Sequence, residues 1–165
     1  MDGGCRTRMA VAKSLCVICG PESRAGLRVR FRRRGGAIAA SFTPRRAHQG
    51  YHGLMSGGLL GAIFDCLHYR LPVVLGVVSA VTARLEVDYR APIPLGRRVR
   101  FEARLLSRRG RVFESRAVAL LADGRIAAES RALYVEVPSE RLPRRSREGG
   151  RPVAERRPNP IGYGR

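Results

Sequence analysis

Apolar and charged residues alternate most regularly in the second half of the chain. Leu85, Val87 and Tyr89 alternate with Arg84, Glu86, Asp88 and Arg90, the period-two pattern of a half-buried strand, whose successive side chains point to opposite faces. Val99, Phe101, Ala103 and Leu105 do the same against Arg98, Arg100, Glu102 and Arg104. Between these strands, residues 91–96 hold two prolines and a glycine and read as a loop. Strand-like runs at 112–121 and 126–137 follow, preceded by a turn at Arg109-Gly110 and separated by the hairpin signal Asp123-Gly124. Upstream, residues 27–33 and 37–42 bracket Gly35-Gly36 and read as another hairpin.

One segment has the helical period. It starts at Ser56, a residue type favoured at an N-cap, and passes through Gly57 and Gly58. Leu59, Leu60, Ile63, Phe64 and Leu67 then recur at i, i+1, i+4, i+5 and i+8. Ala62 and Cys66 widen the apolar face, so burial on most sides is expected. A hairpin, one buried helix and three or four long antiparallel strands predict an α+β fold with a sheet wrapped around the helix. There is no internal repeat.

Composition sets the limits of this picture. The 165 residues are 44% hydrophobic, which suits one folded domain. That domain is expected at 16–138, with a mobile segment at 1–15 and a basic, Pro/Gly/Arg-rich, disordered tail at 139–165. The uncharged apolar stretch 71–83 is too short to span a bilayer, and the N-terminal segment lacks the apolar run of a signal peptide. A soluble, cytoplasmic protein is therefore expected. The net charge is +19, of which the tail supplies +5, and Lys13 is the only lysine. Such a field attracts polyanions in general: nucleic acid, acidic membrane or a phosphorylated cofactor such as coenzyme A.

The chemistry concentrates between His48 and Asp65. Gly57 and Gly58 at a helix N-terminus would let a substrate approach backbone N–H groups whose dipole favours a developing oxyanion. Asp65 is the sole acid between Glu22 and Glu86, at i+7 and i+8 from those glycines and so near their helix face. Among apolar neighbours it could act as a general base or nucleophile. The alternative is a carboxylate paired with an arginine across the sheet or a dimer interface. The cysteines are Cys5, Cys16, Cys19 and Cys66. A single C-x-x-C is half of a zinc site, with Cys5 or a histidine as the third ligand it would need; without a second pair no metal is expected. Cys66 reads as a small buried hydrophobe.

At this point the sequence resembles the hotdog-fold acyl-CoA thioesterases of the PaaI-like type, related to 4-hydroxybenzoyl-CoA thioesterase. The resemblance rests on Cys16-Val-Ile-Cys-Gly-Pro-Glu-Ser-Arg-Ala-Gly-Leu27, on His48-Gln49-Gly50 leading to Gly57-Gly58 with Asp65 at the family spacing, and on the stretch from Thr82 to Gly96. It implies five or six antiparallel strands around one long helix, a homodimer that in some cases pairs into a tetramer, and active sites at the dimer interface. Asp65 would be the base or nucleophile, Gly58 and Gly57 would polarise the thioester carbonyl, and Thr82 would match a hydroxyl that the partner subunit supplies in some relatives. His52, Gly50 and Gln49 fall at substrate-binding positions. No cofactor is implied beyond the coenzyme A of the substrate.

Two departures bear on activity. Relatives commonly read His-Gly-Gly where this chain has Ser56-Gly57-Gly58, and some carry Asn where it has Gly50. Ser56 can still cap the helix and donate one hydrogen bond, while His52 is either an ordinary loop histidine or a filler of the vacated space. The sequence thus predicts hydrolysis of an acyl-CoA thioester to free acid and coenzyme A, with a non-catalytic acyl-thioester binder as the alternative. A nucleic-acid-binding protein is the less favoured third reading, since only Phe31 and Phe113 interleave the arginine runs at 28–34 and 104–111. Most of those arginines are expected on a solvated sheet face, with a few contacting coenzyme A phosphates.

Overall fold

The computed structural model describes residues 15–138 apart from Val78, together with Glu140. The expected mobile segment and basic tail therefore fall almost entirely outside the described residues. Six strands and one long helix follow in the order β1 (Phe31–Arg34), β2 (Ala37–Phe42), α1 (Gly57–Val74), β3 (Ala80–Tyr89), β4 (Val99–Arg109), β5 (Val112–Leu120) and β6 (Ile126–Glu136). All strands join one antiparallel sheet in the order β1-β2-β4-β5-β6-β3. The predicted sheet wrapped around one helix is what forms. None of the helices among the described residues is long and apolar enough to cross a membrane.

The helix packs against the sheet because its long apolar side chains meet small ones. Leu60, Ile63, Phe64, Leu67 and Leu71 are buried on α1, and Phe64 meets Phe101 of β4 edge to face with ring centroids 5.7 Å apart. Opposite them, the inward positions of β4, β5 and β6 are largely Ala103, Ser115, Ala117, Ala119, Ala128, Ser130 and Ala132. Those short side chains leave room for an 18-residue helix to lie close to the sheet. On the outer face, ion pairs such as Arg90–Glu129 and Arg104–Glu102 occupy the alternate positions, so many of the arginines do form a solvated face.

The structure departs from the sequence reading, or adds to it, in three places. The first hairpin strand is shorter than expected: Arg28 adopts a left-handed φ of 53°, and Leu27 and Val29 donate their amides to Val17 and Ile18 instead of extending β1. Secondly, β3 and β4 are not neighbours. β3 is an edge strand paired with β6, while β4 lies between β2 and β5. Thirdly, Tyr89 ends β3 exposed, and its hydroxyl donates to the Gly57 carbonyl at 2.8 Å, covering the first helical turn.

Candidate active site

Helix α1 begins where the sequence places it, directly after Ser56. Ser56 has the extended backbone of an N-cap, yet its side chain makes no capping hydrogen bond, contrary to the expectation that it caps. The amides of Gly57 and Gly58 thus keep the orphan status of a helix's first donors among the described residues. The two glycines differ in access. A Cβ on Gly57 would lie 3.2 Å from the Tyr89 ring, whereas one on Gly58 would meet only Ser56 Oγ at 3.7 Å.

Two turns further on, Asp65 is half-buried and its carboxylate is held by hydroxyls, with no arginine among its hydrogen bonds or ion pairs within the described residues. Thr82 Oγ1 donates to Asp65 Oδ1 at 2.7 Å. Tyr134 OH lies 2.6 Å from the same oxygen and 2.6 Å from the Asp65 backbone carbonyl, between which its single proton divides. Among the described residues no hydrogen bond reaches Oδ2. Burial, followed by the Asp65 charge, raises the Tyr134 pKa far above that of a free phenol, so its hydroxyl stays protonated as a donor. The hydroxyl on Asp65 comes from Thr82 of the same chain, where the resemblance implied one from a partner.

Thr82 reaches Asp65 because β3 carries a bulge. The register with β6 shifts between Thr82 and Arg84. Leu85 and Val87 pack toward the core, so strict alternation would send Thr82 outward with Arg84 and Glu86. One extra residue reverses the parity and turns Thr82 inward, directly opposite Tyr134.

Tyr134 was not among the residues singled out in the sequence. Its signal was an aromatic with a polar tip at an inward position of the last strand. Also unanticipated was His68, one turn beyond Asp65 and fully buried. Its Nδ1 lies 2.7 Å from Ser115 Oγ and its Nε2 3.0 Å from Ser130 Oγ. Burial lowers the His68 pKa to about 4, against the opposing pull of the Asp65 charge, so the ring is neutral at pH 7.

The expected substrate-binding positions lie apart from Asp65, in the loop before α1. Gln49 Oε1 accepts from the Gly53 amide at 2.9 Å, which fixes the loop's own turn. Gly50 packs so tightly that a Cβ there would lie 2.8 Å from Ser56 Cα. His52 is exposed beside a shallow depression lined by Arg45, Arg46 and Leu95. A groove of about 1190 Å³ runs along β1 and β2 and is lined by Arg30, Arg32, Arg98 and Arg100 among others. Asp65 borders neither of these hollows.

A sheet of six antiparallel strands wrapped around one long helix defines a hotdog-fold protein. Residues 52–128 match the family model described as the thioesterase superfamily. Similar solved structures include a thioesterase superfamily protein at 25% identity and TM-score 0.66, the match covering 70% of this chain and 60% of that one. The E. coli PaaI protein from the phenylacetic acid degradation operon aligns at 15% identity and TM-score 0.61, over 66% of this chain and 83% of that one. A Streptococcus mutans UA159 protein solved bound to acetyl CoA aligns at 14% identity and TM-score 0.62, over 66% and 88%. No curated protein sequence matches. The segment carrying Asp65, Thr82 and both glycines is thus similar to the thioesterase superfamily, and the chain shares the fold of the PaaI protein.

Proposed function

We propose that this protein hydrolyses an acyl-CoA thioester to a free acid and coenzyme A. The observation that supports this best is the Asp65 carboxylate, with Oδ1 tethered by Thr82 and Tyr134 and Oδ2 left to take a proton from water or attack the carbonyl. In this mechanism Tyr134 and Thr82 are positioning residues. They keep Asp65 oriented while remaining protonated themselves. Gly58, less covered than Gly57, offers its amide to the thioester oxygen, where the helix dipole favours the oxyanion.

Seven residues of helix separate Gly58 from Asp65, about 10 Å along the axis. That is too far for both to serve one carbonyl, which needs donors and base within about 3 Å of the reacting atoms. The reaction therefore uses two copies of the chain, Asp65 of one facing the helix N-terminus of the other. A homodimer also explains why the groove volume of a single chain lies elsewhere. In the dimer the arginines of the β1–β2 groove are candidates to hold coenzyme A phosphates.

A second reading, a non-catalytic acyl-thioester binder, is favoured by one observation: the tight fit of Gly50 against Ser56 leaves no space for the side chain that some relatives carry there. Thiol release from a panel of aryl- and fatty-acyl-CoAs, beside Asp65→Asn, separates the two. Turnover by the wild type and none by the variant supports hydrolysis with Asp65 at its centre. Saturable acyl-CoA binding with no thiol release by either protein overturns the hydrolase in favour of the binder.

A further inference from the structure

The face of α1 next to Asp65 carries a second cluster that the thioester site does not use. Cys66 meets the two cysteines of the N-terminal C-x-x-C turn, and the Sγ atoms of Cys16, Cys19 and Cys66 all lie within 4.8 Å of one another. Cys66 Sγ and Cys19 Sγ are 3.3 Å apart. Three thiolates around one tetrahedral zinc, with Zn–S near 2.3 Å, place their sulfurs roughly 3.8 Å apart, so small side-chain rotations bring these three into coordination. The sequence hid this arrangement because 47 residues separate Cys19 from Cys66.

The turn that presents Cys16 and Cys19 is built into the fold. The Gly20 amide donates to the Cys16 carbonyl at 2.7 Å, closing the turn. Amides of Leu27 and Val29 donate to Val17 and Ile18, both at 2.8 Å, and buried Ile18 anchors the turn in the core. The left-handed Arg28 that shortens β1 belongs to this same tie. Cys16 and Cys19 pack against the core yet are only partly buried, so their thiols stay within reach of an ion.

Charge completes the arrangement. Arg70, one turn beyond Cys66, donates from Nη2 to Cys19 Sγ at 3.0 Å, and its guanidinium is steadied over the Phe31 ring at 4.9 Å. Three thiolates and one divalent cation carry a net charge of −1, which a single Arg neutralises while its N–H orients a ligating sulfur.

The geometry points to a metal site in which Cys16, Cys19 and Cys66 hold one thiophilic divalent ion of the zinc class, with Arg70 as counter-charge and a fourth position open to water. Soft sulfur ligands select zinc over magnesium or calcium. The ion staples the N-terminal turn to the helix that carries Asp65, so its role is structural and independent of the activity proposed above.

The test uses the full-length, untagged chain produced with zinc supplementation, with metal content measured per chain. About one equivalent is expected, falling to roughly a tenth or less in Cys16→Ser, Cys19→Ser and Cys66→Ser. Because a cysteine variant could simply misfold, wild-type chain stripped of metal is also titrated with Co2+. A sulfur-to-cobalt charge-transfer band that saturates at one equivalent supports the site. Zinc-free wild type that shows no such band overturns the proposal, as does a Cys19–Cys66 disulfide found by non-reducing peptide mapping of metal-free protein freshly isolated from a reducing cytoplasm.

Discussion

Acidification should unfold this protein partly through His68, and the effect can be isolated. The unfolded chain's histidine titrates near 6.5, while the buried ring between Ser115 and Ser130 titrates near 4. At 1.36 kcal/mol per pH unit, the difference amounts to about 3 kcal/mol. A depressed folded-state pKa fixes the sign. Above about pH 6.5 both states are neutral there and the stability is fully present. Between 6.5 and 4 the unfolded chain takes up a proton that the folded chain refuses, and stability falls. Below about 4 both are protonated and the loss levels off. His68→Leu removes this titration. It also strips a partner from two buried hydroxyls, a cost of about 2 kcal/mol at neutral pH. The two stability curves should therefore cross: the variant is about 2 kcal/mol less stable at pH 7.5 and about 1 kcal/mol more stable near pH 4. Urea unfolding followed by far-ultraviolet circular dichroism, at matched protein concentration, measures both curves. Groups remote from His68 are common to both proteins and largely cancel in the difference. A gap that stays constant from pH 7.5 to 4 would refute the assignment of a neutral, strongly buried His68.

Other expectations follow from the same geometry. Tyr134→Phe and Thr82→Val each remove one hydrogen bond to the Asp65 carboxylate, worth about 1.5–3 kcal/mol. If the chain is the proposed hydrolase, each should lower kcat roughly 10- to 100-fold with little change in KM, and the double variant should lose less than the product; independent, multiplicative losses would show that the two hydroxyls do not act through one carboxylate. Gly50→Ala drives a methyl to within 2.8 Å of Ser56 Cα, and a loss of about 1–3 kcal/mol in urea midpoint terms is expected; an unchanged midpoint means the loop yields freely. Phe64→Ala empties a fully buried position against Phe101, costing about 3–5 kcal/mol, and a thermal scan with an unaltered midpoint would contradict the packing described.

Much of the architecture is local, and local patterns carry it. Alternation at 84–90 and 98–105, the glycines at 110 and 124 with positive φ, and the apolar spacing after Ser56 each arise from neighbouring residues competing for one face or one backbone conformation. They marked the strands, the turns and the start of the helix, and Asp65 stood out as the lone acid on an apolar stretch. Tertiary structure decided what depends on distant partners. Strand order placed β3 beside β6 and away from β4. A bulge reversed the face of Thr82, although the alternation after it points the other way. Tyr134 became a ligand of Asp65 from 69 residues away, and Ser130 a partner of His68 from 62. Cys66, an unremarkable apolar residue on the helix, joined a turn whose Cys19 lies 47 residues upstream. In each case the deciding contact lies across the sheet or between helix and turn, where spacing along the chain carries no information about which side chains will meet.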